Sequence, residues 1–399
     1  MLIDPVAPAD ELVRSHLRAL LADHDPLVSP ASAFLGAQFD RGLAWVWFPA
    51  GCGGMGLEPH WQEVVDRELA SAGAPAPDID RNVIGYGMAA PTIATHGDDA
   101  QRARWLRPLF AGEEVWCQLF SEPGAGSDLA SLATRAVRAG DEWIVDGQKV
   151  WTTLGHTARW GLLLARTDPT VPKHRGLTAF VLDMIGPGVD VRPLRQITGD
   201  AEFNEVFMTG ARIPDAHRLG SVGQGWSVAL TTLMNERVSL GGSVPEQGSG
   251  AIAHVLALWR ASPRRNPVLR DRVVQLWIRA EVLRLTNERA RSARLAGTPG
   301  PEGSAGKLLS AELNQAVFDL CVDLFGAEGL VYPDGYELRR PERATLIEGD
   351  PRFLFLRSRA NTIEGGSVEV LRNVIGERVL GLPPEPRVDR EVSWSAARR

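Results

Sequence analysis

Residues 117–136 read CQLFSEPGAGSDLASLATRA, and the interpretation of the whole chain turns on them. Their centre is Ser121-Glu122-Pro123-Gly124-Ala125-Gly126-Ser127-Asp128. Pro123 removes one backbone donor and stiffens the entry to the turn. Gly124 and Gly126 permit positive φ and let a ligand come close to the backbone. The N–H groups of such a turn can converge on an electron-rich ligand edge, and Ser121 and Ser127 add hydroxyls that donate or accept. An apolar run over residues 115–120 leads in, which predicts a buried strand ending at the loop. Taken alone, a glycine-rich octet also serves as a plain turn between strands.

On either side of the central segment the character of the chain differs. Before it, apolar positions recur at helical spacing. Asp10 can cap a helix carrying Leu12, Val13, Leu17, Leu20 and Leu21; Trp61, Val64, Val65 and Leu69 mark a second, and residues 86–110 a third ending near Pro108. From residue 115 to 225, apolar or alternating runs of about five to eight residues are separated by turn signals. Strands are expected over residues 133–139, 143–145, 150–153, 162–165, 177–182, 189–191 and 205–208, with Asp146-Gly147 as a hairpin turn. Helices return at 227–240, 247–260, 267–295, 308–325 and 368–380. The expected fold is an α+β multidomain chain: a helical domain at 1–114, a β-barrel or sandwich at 115–225 and a helical bundle at 226–399. This order is not the βαβ alternation of a doubly wound sheet.

A chain of 399 residues is long enough for two or three folding units. Its net charge of −6 offers nucleic acid no electrostatic footing. Cys52, Cys117 and Cys321 are far apart and odd in number, which fits a reducing cytoplasm rather than a disulfide framework. The start, MLIDPVAPADELV, has acids where a secretory leader needs Lys or Arg. No apolar run approaches about 18 residues, so no membrane span is expected. The histidines form no H-E-x-x-H pattern and no metal site is expected; there is no G-x-S-x-G elbow for acyl hydrolysis. Gly51, Gly53 and Gly56 match G-x-G-x-x-G, but the helix opens too late and no strand follows it, so a turn is expected there and not a nicotinamide site.

Two carboxylates stand out by their setting. Glu364 lies in Thr362-Ile363-Glu364-Gly365-Gly366-Ser367, where a glycine pair follows an acid just before a helix. Glu236 lies in Leu233-Met234-Asn235-Glu236-Arg237, on a largely apolar helix. Each has an ordinary structural use as well: Glu364 as an anion near a helix start, Glu236 as a surface acid or a partner of Arg237.

With these residues in hand, the chain resembles the acyl-CoA dehydrogenase flavoprotein family over nearly its whole length. The landmarks come in the family's order: SEPGAGSDLA from Ser121, GQKVWTT from Gly147, ITGDAEFNEVFMTGARIP from Ile197 with GQGW from Gly223, and NTIEGGSVEVLRNVIGERVLGLP from Asn361. FPAGCGGMGL from Phe48 is similar to a further family turn. The resemblance implies FAD, with Leu119, Phe120, Ser121, Gly126 and Ser127 along the flavin and its pyrophosphate and Trp151, Thr152 and Thr153 on the other side of the ring. Donors near such a ring stabilise its reduced, anionic form.

The reaction implied is α,β-dehydrogenation of an acyl-CoA thioester, a Glu taking the Cα proton while a hydride leaves Cβ for the flavin. A carboxylate sealed against apolar substrate is expected to have a raised pKa. Most members of the family hold the base where Glu364 stands and a minority where Glu236 stands; this chain has both, and the intact acid-Gly-x-Ser loop favours Glu364. Ser127, Arg237 and Gly365 are the residues implied to meet the substrate.

Two departures concern the ADP half of the cofactor. The family's Arg-x-x-Phe-Gly segment is replaced by Ala261-Ser262-Pro263-Arg264-Arg265-Asn266-Pro267, and Asp323 stands where Gln is common, ahead of the turn with Phe325, Gly326 and Gly329. Asp323 and Gly326 thus occupy cofactor positions, with Arg264, Arg265, Arg270 and Arg272 as candidate pyrophosphate partners. The resemblance further implies an electron-transfer flavoprotein as acceptor and an oligomer, either a homo-dimer or -tetramer or a hetero-oligomer with a related subunit. Two rivals share these residues: a flavin oxidase or monooxygenase on the same fold, and a non-catalytic subunit of a hetero-oligomer.

Overall fold

The computed structural model describes residues 6–241, 244–263, 266–295, 302–333, 335–344, 349–386 and 389–397; the side chains at 6–8, 237–241, 294–295 and 302–303 lie outside the described part. Helices come first: α1 (Val6–Asp23), α2 (Ala31–Asp40), α3 (Trp61–Ser71), α4 (Ala90–His96) and α5 (Asp99–Phe110). The strands follow as β1 (Trp116–Leu119), β2 (Arg135–Ala139), β3 (Glu142–Thr153), β4 (Trp160–Arg166), β5 (Leu177–Asp183), β6 (Val189–Pro193), β7 (Phe203–Pro214) and β8 (Arg218–Leu219). Helices return as α6 (Gly225–Gly241), α7 (Ala251–Ala261), α8 (Pro267–Leu295), α9 (Glu302–Phe325), α10 (Pro351–Arg357), α11 (Val368–Arg378) and α12 (Trp394–Ala397). The expected order of helices, β structure and helices is the order found.

Two compact units carry these elements. One holds residues 1–192, 204–232 and 389–399; the other holds 193–203 and 233–388. In the first, Val13, Leu17, Leu20, Phe34, Val46, Trp61, Val65 and Leu69 form the core of the N-terminal helices. The sheet runs in the order β6-β7-β3-β2-β4-β5-β8, with β1 pairing in parallel beside β4 in the register Trp116↔Trp160 to Leu119↔Leu163. All of β4 is buried, as a strand with neighbours on both faces requires. In the second unit, α9 is the central helix, with Val317, Phe318, Leu320, Cys321 and Leu324 packed among α7, α8 and α10. No described helix is long and apolar enough to cross a membrane.

Three local expectations need correction. Asp10 does not cap α1: the helix starts at Val6, and Asp10 pairs with Arg14 one turn on at 2.9 Å. Residues 86–110 are not one helix. A π turn at Gly85–Ala89 feeds α4, and the chain restarts at Asp98, whose carboxylate accepts from the Gln101 amide in a capping box. Asp146-Gly147 is not a hairpin. β3 runs straight through it and the turn lies at Gly140-Asp141. Gly147 is there for close approach, since a Cβ would stand 2.4 Å from Thr134 Oγ1.

Candidate active site

The glycine-rich loop begins where β1 ends. Glu122 and Ala125 exchange N–H···O bonds of 3.0 Å across Pro123-Gly124, which makes the turn tight. The Glu122 side chain turns inward. Its oxygens accept from the amides of Ala133 (2.6 Å) and Thr134 (2.8 Å) and from Lys149 Nζ (2.9 Å). Lys149 also donates to the Phe120 carbonyl at 2.9 Å, and the Val150 amide donates to the Ser121 carbonyl at 2.9 Å. Lys149 and Glu122 thus staple the loop to β3. Burial pushes the Lys149 ammonium down to about 8 despite its partner. Burial alone would raise Glu122, but Lys149 and the amide donors outweigh it and hold the carboxyl below its usual range. Neither residue was assigned a role from sequence, although both lie inside the motifs that were.

Outward, the loop is open. The side chains of Leu119 and Phe120 are buried, so only their backbone is available to a ligand. Gly126 and Ser127 are exposed, and among the described residues no backbone carbonyl accepts from their amides. At the end of β3, Trp151 is 57% exposed and sits at φ 62°. A bulky residue in left-handed backbone costs about 1–2 kcal/mol and persists only where the surroundings fix it. Fixation comes from Thr152, fully buried, whose carbonyl accepts from Asn204 Nδ2 at 3.1 Å. Thr152 Oγ1 is itself buried without a hydrogen-bond partner among the described residues. An exposed indole, a buried hydroxyl without a partner among the described residues, and exposed loop residues whose amides meet no backbone carbonyl there suit a flat heteroaromatic ring with acceptors on its edge, so these residues fit a flavin. Thr153 completes the strand beside them, half-buried.

In the other unit, the carboxylates gather around the 361–366 loop. Gly365 and Gly366 take φ of 64° and 92°, a succession that L side chains resist. Lys307, buried on α9, spans the loop by donating to the carbonyls of Asn361 (2.8 Å) and Gly366 (2.9 Å). Burial lowers its ammonium, while Glu364 and Glu236 both act to raise it, so both candidate bases act on one buried cation. Glu364 accepts from Arg357 Nη1 and Nη2 at 3.1 and 3.0 Å and from Asn361 Nδ2 at 2.7 Å. Arg357 also donates through Nε to Glu202 at 2.9 Å. Sequence reasoning missed Lys307, Arg357 and Glu202. The Glu364 amide is occupied by the Ala360 carbonyl at 2.9 Å, whereas the Gly365 amide meets no backbone carbonyl among the described residues.

The remaining assignments fall elsewhere. Arg237 lies on α6 with its side chain outside the described part, and Arg264 and Arg265 lie outside the described residues. Asp323, near the end of α9, pairs with Arg272 of α8 at 2.7 Å. Gly326 turns the chain out of α9 at φ 65°. Arg270 lines an open groove with Pro267, Asp271 and Val274.

The chain matches the acyl-CoA dehydrogenase N-terminal domain over residues 8–113, the middle domain over 117–210 and the C-terminal domain over 223–380. It is 41% identical over 349 residues to the Mycobacterium tuberculosis acyl-CoA dehydrogenase FadE34, covering 87% of this chain and 46% of that protein, so it spans about half of that relative's length. Acyl-CoA dehydrogenase IpdE1 of the same organism is 38% identical, with 87% of this chain and 86% of that protein covered. Among solved structures, the Tcur3481-Tcur3483 steroid ACAD is 28% identical with a TM-score of 0.70, covering 96% of this chain and 100% of that one. The ChsE4-ChsE5 complex from Mycobacterium tuberculosis is 26% identical with a TM-score of 0.69, at the same coverage.

Proposed function

The chain belongs to the acyl-CoA dehydrogenase family, and on that premise we propose that it oxidises the Cα–Cβ bond of an acyl-CoA thioester to the trans-2-enoyl-CoA with FAD as cofactor. The observation that carries this reading is the 361–366 loop, a glycine-paired turn that presents Glu364 while Arg357, Asn361 and Lys307 hold it. Glu364 is the base that takes the Cα proton. Glu236 is the alternative base, and it shares the field of Lys307. With the Glu364 amide already engaged, the Gly365 amide, which meets no backbone carbonyl among the described residues, is the loop donor proposed to polarise the thioester carbonyl. When bound, FAD supplies the acceptor for the hydride that leaves Cβ. Leu119, Phe120, Ser121, Gly126 and Ser127 along the loop, with Trp151, Thr152 and Thr153 at the end of β3, are the residues that would hold it. Ser127 and Arg237 are the further proposed substrate contacts.

Arg272 is engaged by Asp323, so a homo-oligomer has one fewer cation to offer the pyrophosphate. The likeness to a complex of two proteins makes a hetero-oligomer with a related subunit the assembly we favour. The likeness to a steroid enzyme makes sterol-derived thioesters the first substrates to try. The proposed electron acceptor is an electron-transfer flavoprotein. Purification with ample flavin tests the cofactor assignment: a yellow protein is expected, and a colourless one that takes up no FAD refutes it. Slow reaction of the substrate-reduced protein with oxygen is expected, because a product covering the flavin excludes water and gas. Rapid hydrogen peroxide release would place it with the oxidases.

A further inference from the structure

Arg357 ends α10 with its side chain buried, and its guanidinium is divided between two carboxylates of different character. Glu202 is fixed: its side chain is 5% exposed, and it lies on the 193–203 segment of this unit, tied by the Ala201 amide to the Arg339 carbonyl (2.7 Å) and by Asp200 to Arg339 (2.7 Å). Glu364 is the more accessible, 27% exposed on its glycine-paired loop. An ionised carboxylate has about four acceptor positions. On Glu364, Oε1 takes two donors, Arg357 Nη1 and Asn361 Nδ2, and Oε2 takes Arg357 Nη2. Among the described residues, Oε2 therefore keeps an open lone pair for an incoming proton.

A guanidinium bonded to a single carboxylate orients it well but also stabilises its anion, which suits a fixed ion pair and hinders a base. Here the guanidinium already faces a buried anion. We propose that Arg357 is a positioning residue for Glu364, and that Glu202 neutralises the guanidinium so that the loop carboxylate is aimed without being locked in its anionic form. On proton transfer the Cα–H bond breaks, the proton goes to Oε2, the electron pair stays on the thioester, and Arg357 remains paired with Glu202. Burial pushes the Glu202 carboxyl upward and Glu364 adds to that rise, while Arg357 opposes it, as expected for two anions sharing one cation. Among the described residues, the other charged groups around the cluster are Lys307, Glu236, Asp200 and its partner Arg339, with Arg359 bound to Asp319 at 3.0 Å.

This inference rests on the dehydrogenase reading with Glu364 as base, and the test separates the two. The full chain loaded with FAD is titrated by isotope-edited infrared difference spectroscopy, wild type against Glu364→Gln, which follows the Glu364 carboxylate with no substrate present. Anaerobic flavin reduction by butyryl-CoA, octanoyl-CoA and a sterol side-chain CoA thioester is followed over the same pH range. Glu202→Gln, close to isosteric, leaves the guanidinium uncompensated, so the carboxylate midpoint and the acidic limb of reduction should both fall by about one pH unit. Arg357→Gln leaves two anions side by side, so both should rise by about as much, with Arg357→Lys partly restoring them. The double variant should return the midpoint towards wild type while reduction stays slow, because the orientation is lost. Equal midpoints in wild type and Glu202→Gln, with flavin content unchanged, would overturn the proposal even if Arg357→Gln failed to fold. Wild-type protein whose flavin none of the thioesters reduces, yet whose infrared midpoints move as stated, would refute the dehydrogenase reading and leave the positioning role intact.

Discussion

Glu122→Ala is the substitution whose effect follows most directly from the structure. The Glu122 side chain is 8% exposed and that of Lys149 is 0% exposed, so solvent screens their 2.9 Å contact very little. At an effective dielectric near 20 the gross attraction is about 6 kcal/mol. Desolvation offsets much of that, and removing one partner of a buried pair typically costs about 3–5 kcal/mol because the other charge is left behind. The Ala133 and Thr134 amides lose their acceptor as well. A loss of that size is a large share of the roughly 5–15 kcal/mol that holds a folded protein together, and for a unit of this size it lowers the melting temperature by roughly 6–20 °C. Denaturant unfolding of the flavin-free chain measures the loss, and flavin retention through gel filtration measures displacement of the loop. The double variant Glu122→Gln/Lys149→Met removes both charges and keeps an acceptor for the amides. It should recover at least about 1 kcal/mol of the deficit, since a buried pair replaced as a unit is often neutral. A Glu122→Ala protein that loses under about 1 kcal/mol, no more than an average point substitution costs, would refute the staple.

Trp151→Ala should weaken flavin binding by about tenfold, close to 1.4 kcal/mol, as read by fluorescence titration; unchanged affinity would mean the exposed indole does not cover the ring. Asp215 is held at about 2, first by Arg218 and then by Trp143 Nε1. Because this folded value lies below the unfolded one, the stabilisation is fully present above about pH 4 and is lost as pH falls towards 2. Asp215→Asn should therefore flatten the stability profile in that window and leave its slope at neutral pH alone. Phe318→Ala, in the C-terminal third of α9 at 1% exposure, should cost about 3–5 kcal/mol by denaturant unfolding.

What the sequence reveals depends on whether the cause is local. Residues 267–295 show helical spacing without interruption, and α8 has those ends. Strands β4 and β5 are apolar runs bounded by turns and were equally legible. Asp146-Gly147 misleads because the glycine serves contact with Thr134, a residue just ahead of β2, and no local pattern distinguishes that from a turn. The break in the 86–110 region was readable in principle, since Asp98 and Gln101 have capping-box spacing. The loops that carry Ser127 and Glu364, and the strand end that carries Trp151, were visible through their motifs. Their supports were not: Lys149 reaches Glu122 across 27 residues and Arg357 reaches Glu202 across 155. A salt bridge of that kind leaves no periodicity, only two charged residues with no stated use.

The central claim is that carboxylate-assisted removal of a Cα proton from an acyl-CoA reduces a bound flavin. Its most direct test is anaerobic titration of the flavin-loaded chain, with its partner subunit if it has one, using butyryl-CoA, octanoyl-CoA and a sterol side-chain thioester while flavin absorbance and product are followed together. At least one thioester should bleach the flavin and yield one 2-enoyl-CoA per flavin reduced, and Glu364→Gln should slow that step by far more than tenfold, or about 1.4 kcal/mol in barrier, while still binding the thioester. No bleaching with any of them, or bleaching at undiminished rate in both Glu364→Gln and Glu236→Gln, would contradict the claim.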